Sequence, residues 1–126
     1  MHRTTAEQYG WSRDNTIGTT AQRNTWSDNW VMFMKNERLG FQLELARNNG
    51  HGSVLCDRGQ VLLQRLSALF ASHNPPASLL HGDLCGGNYG YLANGEPVIF
   101  DPAVYYGDRE SDLAMTELFG GFSAEF

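Results

Sequence analysis

Asn94-Gly95 sits between two short apolar runs, Tyr89 to Leu92 and Val98 to Phe100. Asn-Gly suits the positive φ angles of a tight turn, so residues 89–100 read as a β-hairpin. That hairpin constrains the chain more than any other feature. It is preceded by His81-Gly82-Asp83-Leu84-Cys85-Gly86-Gly87-Asn88 and followed directly by Asp101. The two polar segments are therefore tied to the ends of one rigid ribbon.

Their residue types suit one kind of chemistry. Phosphoryl transfer needs a carboxylate that orients and deprotonates the attacking hydroxyl, and oxygen ligands that hold Mg²⁺ against phosphate. Kinase catalytic loops provide an Asp, an Asn five positions on, and a second Asp after the next hairpin. Asp83, Asn88 and Asp101 follow that order and spacing. In this reading Asp83 takes the proton, while Asn88 and Asp101 coordinate Mg²⁺ bridging the phosphates of ATP. Val98-Ile99-Phe100 reads as a buried run, so an ionised Asp101 at its end calls for a metal or hydrogen-bond donors.

The rest of the chain supplies a scaffold. Residues 1–26 are polar and read as an extended lead-in. Ser27 offers an N-cap for a helix over 28–39, ended by Leu39-Gly40. Phe41, Leu43 and Leu45 fit either a short strand or a helical continuation. Asn49-Gly50-His51-Gly52 breaks the chain. Leu55, Leu62, Leu66, Leu69 and Phe70 then recur at helical spacing, which predicts the longest helix, running to about residue 71. Pro75-Pro76 stops it, Ser78-Leu79-Leu80 leads as a short apolar run into His81, and a last helix spans about 111–119 before Gly120-Gly121. Trp26, Trp30, Phe33, Leu62, Leu66 and Phe70 are the expected core. The predicted class is α+β and mainly helical, one domain over residues 1–126 with the catalytic hairpin against a helical core.

Of the 126 residues 41% are hydrophobic, enough for one core. A net charge of −5, with nine scattered Lys and Arg, offers no basic stripe for nucleic acid or anionic lipid. No apolar stretch approaches the roughly 20 residues that span a bilayer, and the start Met-His-Arg-Thr-Thr is not a signal peptide. The expected setting is cytoplasmic, with Cys56 and Cys85 reduced. His51, Cys56, His81 and Cys85 match no zinc-ligand spacing on one element.

The loop HGDL-x-GGN, the run Phe-Asp-Pro-Ala-Val-Tyr-Tyr-Gly-Asp-Arg-Glu at 100–110 and Asp-Leu-Ala-Met-Thr-Glu-Leu-Phe-Gly-Gly-Phe at 112–122 resemble the fructosamine (ketosamine) kinases. Asp14-Asn15-Thr16-Ile17-Gly18, Gln22, Trp26, Trp30 and Arg38-Leu39 resemble the segment after the inter-lobe hinge there. The resemblance covers roughly residues 9–126. It implies the C-terminal lobe of a protein-kinase-like, aminoglycoside-phosphotransferase-like fold. It also implies ATP- and Mg-dependent phosphorylation of the 3-hydroxyl of a ketosamine such as fructosyl-lysine, in protein deglycation.

Two departures accompany it. No GxGxxG is present and Lys35 is the only lysine, so the ATP-gripping N-terminal lobe and the final C-terminal helices are expected to be absent and the fragment inactive alone. Cys85 stands where the family usually has Trp, which removes a flat face for a sugar. It reads as a small hydrophobe or a reactive thiol, and also as a weak substrate-side position. Asn15 is a substrate-side candidate or a turn residue, and Asp108 and Glu110 bind a substrate amine or Mg²⁺, or form a solvated acidic turn. His81 is a base or a structural residue beneath the site, and Asp112 caps the first turn of its helix. Rival functions are another small-molecule kinase of the superfamily, for an aminoglycoside or a choline-like alcohol, and a non-catalytic binding remnant.

Overall fold

The computed structural model describes residues 1–118 and 122. Its longest helix, α3 (Ser53–Leu69), follows the helical apolar period, and Gly50 with φ of +80° makes the break before it. The earlier strands are β1 (Thr5–Ala6), β2 (Asn15–Ile17) and β3 (Thr20–Gln22), followed by helices α1 (Trp30–Phe33) and α2 (Phe41–Asn48). Beyond α3 come β4 (Ala77–Leu80), β5 (Tyr89–Tyr91), β6 (Pro97–Ile99), β7 (Tyr105–Gly107) and α4 (Glu110–Glu117). The class is α+β.

β4 is the central strand of a three-stranded antiparallel sheet, with β1 and β7 on its two sides. It deserves that place by its composition, since Ala77, Ser78 and Leu80 are buried. Tyr9, Trp30, Phe33, Ala77, Leu80 and Tyr105 form the core around it. Trp30 lies 5.3 Å from Tyr9 and 5.8 Å from Phe33, and Phe33 lies 5.7 Å from Tyr105, centroid to centroid. Each such fully buried side chain contributes roughly 1.5–3 kcal/mol of transfer free energy. The sheet leaves the C-terminal end of β4 pointing straight into the loop that begins at His81.

Several expectations change. Residues 1–26 are not merely a lead-in: Tyr9 belongs to the core, and β2 and β3 form a hairpin with Asn15 opposite Gln22. The first helix is capped by Asn29, whose side chain accepts from Met32 N, rather than by Ser27. It does not end at Gly40, which is itself helical at φ −62° and ψ −44°. Met34–Gly40 instead forms a π-helix that runs on into α2, so Phe41 to Leu45 is the helical continuation and not a strand.

In α3 the buried positions are Cys56, Leu63 and Leu66, while Leu55, Leu62 and Leu69 are exposed. Leu55, Leu62 and Leu69 recur every seven residues, as do Cys56, Leu63 and Phe70, and periodicity alone does not choose between these two stripes. Trp26 is likewise exposed at 42%, and Phe70 is partly buried against the core. α4 starts at Glu110; the expected stop at Phe119 and Gly120-Gly121 lies outside the described residues.

Candidate active site

The loop after β4 is shaped by one glycine. Gly82 has φ of +82°, and a β-carbon there would overlap the carbonyl of Ala103. Only glycine combines that angle with that approach. The loop then closes on itself: Cys85 N donates to Asp83 O at 2.9 Å, and Asn88 N donates to Cys85 O at 3.0 Å. The Asn88 side-chain amide donates to Asp83 O at 2.9 Å and to Asp83 Oδ2 at 3.1 Å. Two of the three expected residues are thus in direct contact.

The third is brought near by the hairpin. Tyr89 pairs with Ile99, and Phe100 N donates to Asn88 O at 3.0 Å, so Asp101 follows the residue bonded to Asn88. Leu92 N donates to Glu96 O, Gly95 N donates to Leu92 O, and Gly95 has φ of +85°, the left-handed residue that the turn requires. The predicted burial of this ribbon is wrong. Ile99 is 50% and Phe100 48% exposed, because among the described residues β5 and β6 pair only with each other and no further strand covers them. Asp101 is exposed too, so burial does not force a metal on it.

Asp101 is nevertheless unusual, as the one non-glycine residue among those described with positive φ, at +56°. That conformation costs an L-residue roughly 1–2 kcal/mol, less for Asp than for most. No hydrogen bond within the described chain offsets it. Asp101→Gly is therefore expected to keep or raise stability by up to about 1 kcal/mol while removing a carboxylate from the site. Urea denaturation checks this, and a loss of more than about 1 kcal/mol would show that the carboxylate holds the fold.

His81 is fully buried beneath the loop. Its Nε2 bonds Phe100 O at 3.0 Å and its carbonyl accepts from Ala103 N at 2.9 Å, so it ties the loop to the segment around Asp101. Asp112, 1% exposed, does not cap its own helix as expected. Its carboxylate accepts from His81 N at 2.8 Å and Gly82 N at 2.9 Å, holding the root of the loop.

Asn15 is committed to the fold: its Nδ2 donates to Val104 O and its Oδ1 accepts from the Gln22 and Asn24 amides, all at 2.9 Å. Gln22 also donates to Ala103 O at 3.0 Å, so the β2–β3 hairpin clamps the chain just after Asp101. Arg38 extends this network to Asn24 Oδ1 at 2.8 Å, with its guanidinium 4.1 Å from the Tyr105 ring centroid. Burial lowers the Arg38 pKa, opposed by Tyr105, and burial raises that of Tyr105.

Asp108 is buried rather than solvated. It bonds His73 Nε2 at 2.6 Å and accepts from Glu110 N at 3.1 Å, so its carboxylate sits at the start of α4 just before the N-cap residue Arg109. Glu110 is exposed beside Arg109. Cys85 is a free, partly exposed thiol within the loop itself. Asn24 and His73 escaped sequence reasoning, and Gln22 entered it only through the family resemblance, since isolated amides and a lone imidazole carry no periodic or spacing signal.

The donor chemistry suits Mg²⁺. Asn88 Oδ1 and the Asp101 carboxylate are hard oxygen ligands without partners among the described residues. No group of three or more His, Cys, Asp or Glu that could hold a metal occurs among the described residues. A two-ligand set fits an ion that keeps water and takes its other ligands from phosphate.

The architecture is that of solved kinase-like chains. It superposes on a crystal structure of a putative fructosamine-3-kinase from Haemophilus somnus with a TM-score of 0.86 at 30% identity, covering 99% of this chain and 41% of that one. The family model for fructosamine kinase matches residues 1–126, and the chain belongs to that family. The match thus reaches the first residues, beyond the expected start near residue 9. A Synechocystis protein named probable ketoamine kinase is 50% identical over 119 residues, 94% of this chain and 39% of its own length. The chloroplastic protein-ribulosamine 3-kinase of Arabidopsis thaliana is 44% identical over 128 residues, 100% of this chain and 39% of its own. The chain therefore spans about two fifths of the length of the curated relatives it matches. Among the described residues no helix is long and apolar enough to cross a membrane.

Proposed function

We propose that this chain carries the catalytic-loop side, the C-terminal lobe, of an ATP- and Mg-dependent ketosamine 3-kinase. Its substrates are fructosyl- or ribulosyl-amines, on free amines or on protein, and its role is deglycation in the cytoplasm. The observation that carries the reading is the Asn88 amide bonded to two of the Asp83 oxygens, the backbone O and Oδ2. It fixes the carboxylate and leaves Asn88 Oδ1 free to act as a ligand.

Asp83 orients the substrate 3-hydroxyl and accepts its proton as the oxygen attacks the γ-phosphorus of ATP, while the bond from that phosphorus to the β–γ bridging oxygen breaks and ADP leaves. Asn88 and Asp101 would hold Mg²⁺, which would supply charge neutralisation for the phosphates. Among the described residues the exposed Asp101 carboxylate takes no bond from the Asn88 amide that fixes Asp83. Cys85, inside the loop, borders the sugar, and its small side chain leaves the space open. Glu110 is exposed and, among the described residues, paired only with the equally exposed Arg109, so its carboxylate is accessible to a cationic amine. Asp108 and Asn15 act on the site only through the segments they hold. Lys35 lies in the π-helix, so the group that grips the phosphates comes from the further three fifths found in the relatives.

The test is phosphate transfer from ATP to fructosyl-lysine, ribulosyl-lysine, an aminoglycoside and choline. It is run with the chain alone and with a chimera that joins the N-terminal segment of a ketoamine kinase ahead of residue 1, which keeps His2 and β1. Transfer to the two ketosamines by the chimera, and little by the chain alone, is expected. Transfer only to the aminoglycoside or choline contradicts the substrate assignment.

A further inference from the structure

His2 lies at the start of the chain, yet its Nε2 is 2.8 Å from Asp112 Oδ2, 110 residues away. The contact is not incidental to a loose end. A turn closes with Thr4 N donating to Met1 O at 2.9 Å, Leu79 N donates to Thr4 O at 2.8 Å, and β1 continues along β4 with Thr5 opposite Ser78. The strand that leads into the catalytic loop thus also carries His2 to the loop's anchor. We propose that His2 is a positioning residue that holds the Asp83 loop through Asp112. The proposal rests on the reading of Asp83 as the catalytic base.

The physical case concerns a buried carboxylate. Asp112 is 1% exposed, and a charge at that depth costs several kcal/mol unless donors surround it. Its donors are His81 N on Oδ2, Gly82 N on Oδ1 and His2 Nε2 on Oδ2. The two backbone donors alone leave the acceptor capacity of the carboxylate unfilled. His2 is the one side chain among them, and at 26% exposure it is screened only in part. Its bond keeps Oδ2 directed at His81 N. That fixes the backbone on which Gly82 turns and from which Asp83 projects. His73 with Asp108 is a matched pair elsewhere: an imidazole on a buried carboxylate, at the start of α4, with no bond to the loop.

Amide hydrogen exchange measured by NMR on this chain tests the assignment. A lost hydrogen bond to a charged group corresponds to about a tenfold or larger change in opening. His2→Ala should speed exchange at His81 and Gly82 by about that factor relative to the amides of α3. His2→Gln, which keeps a donor, should restore both rates, and His73→Ala should leave them unchanged. Equal acceleration throughout the chain, no difference between His2→Ala and His73→Ala, or failure of His2→Gln to protect the two amides overturns the proposal. If His2→Ala does not fold, His2→Gln decides alone by the same two rates. Absence of ketosamine phosphorylation in the chimera would count against the functional reading, and the exchange rates would still decide the anchor.

Discussion

Asp83→Asn in the chimera lowers turnover on a fructosyl-amine by roughly 10²- to 10⁴-fold, the range for loss of a positioned general base. Nucleotide affinity changes little, because Asp83 is not one of the two proposed metal ligands. The fold is kept as well. Asn88 Nδ2 still has the Asp83 carbonyl at 2.9 Å to donate to, and an amide oxygen at position 83 can accept what the carboxylate did. Steady-state kinetics with varied ATP and varied ketosamine separate these effects. A variant with near-normal turnover would remove Asp83 from the mechanism.

Asp112→Ala is expected to have the largest effect on stability. Truncation leaves His81 N and Gly82 N without an acceptor in a buried position, and each unsatisfied donor costs about 1–3 kcal/mol. Breaking a buried, hydrogen-bonded charge typically costs about 3–5 kcal/mol. Against a domain stability of about 5–15 kcal/mol, the variant should be close to unfolded at room temperature. Asp112→Asn, which keeps one acceptor, should fall between. Urea denaturation followed by tryptophan fluorescence measures both. A loss below about 1 kcal/mol for Asp112→Ala would mean that the loop is held by something other than this carboxylate.

The local signals in the sequence were good guides to the elements of the site. Asn94-Gly95 specifies its hairpin because its turn chemistry is local, and the spacing of Asp83, Asn88 and Asp101 locates the loop because the ribbon between them has fixed length. The α3 helix is legible for the same reason, up to which of its two apolar stripes faces inward. That choice depends on Leu43, which packs against Gly59, and on Leu63 and Leu66 meeting the core side, none of which a period reveals. Burial at 98–100 was misjudged because three apolar residues in a row look alike whether a second layer covers them or not. The reach of His2 to Asp112 and the amide clamp of Asn15, Gln22 and Asn24 are long-range and polar, so no pattern announces them. The role of Asp112 was half legible: an acid near a helix start is expected to be structural, but only the fold shows that its partners are His81 N and Gly82 N at the root of the 81–88 loop.

The central claim is that Asp83, Asn88 and Asp101 form one metal-assisted phosphoryl-transfer site. Paramagnetic Mn²⁺, added with ATP to the isotopically labelled chain, tests it most directly, because line broadening reports even weak binding and maps it by residue. The account predicts broadening centred on the amides of 83–88 and 100–102, reduced in Asp101→Gly and retained in His73→Ala. Broadening centred elsewhere, such as on the exposed acids Glu44 and Asp57, with the 83–88 loop unaffected, would contradict it.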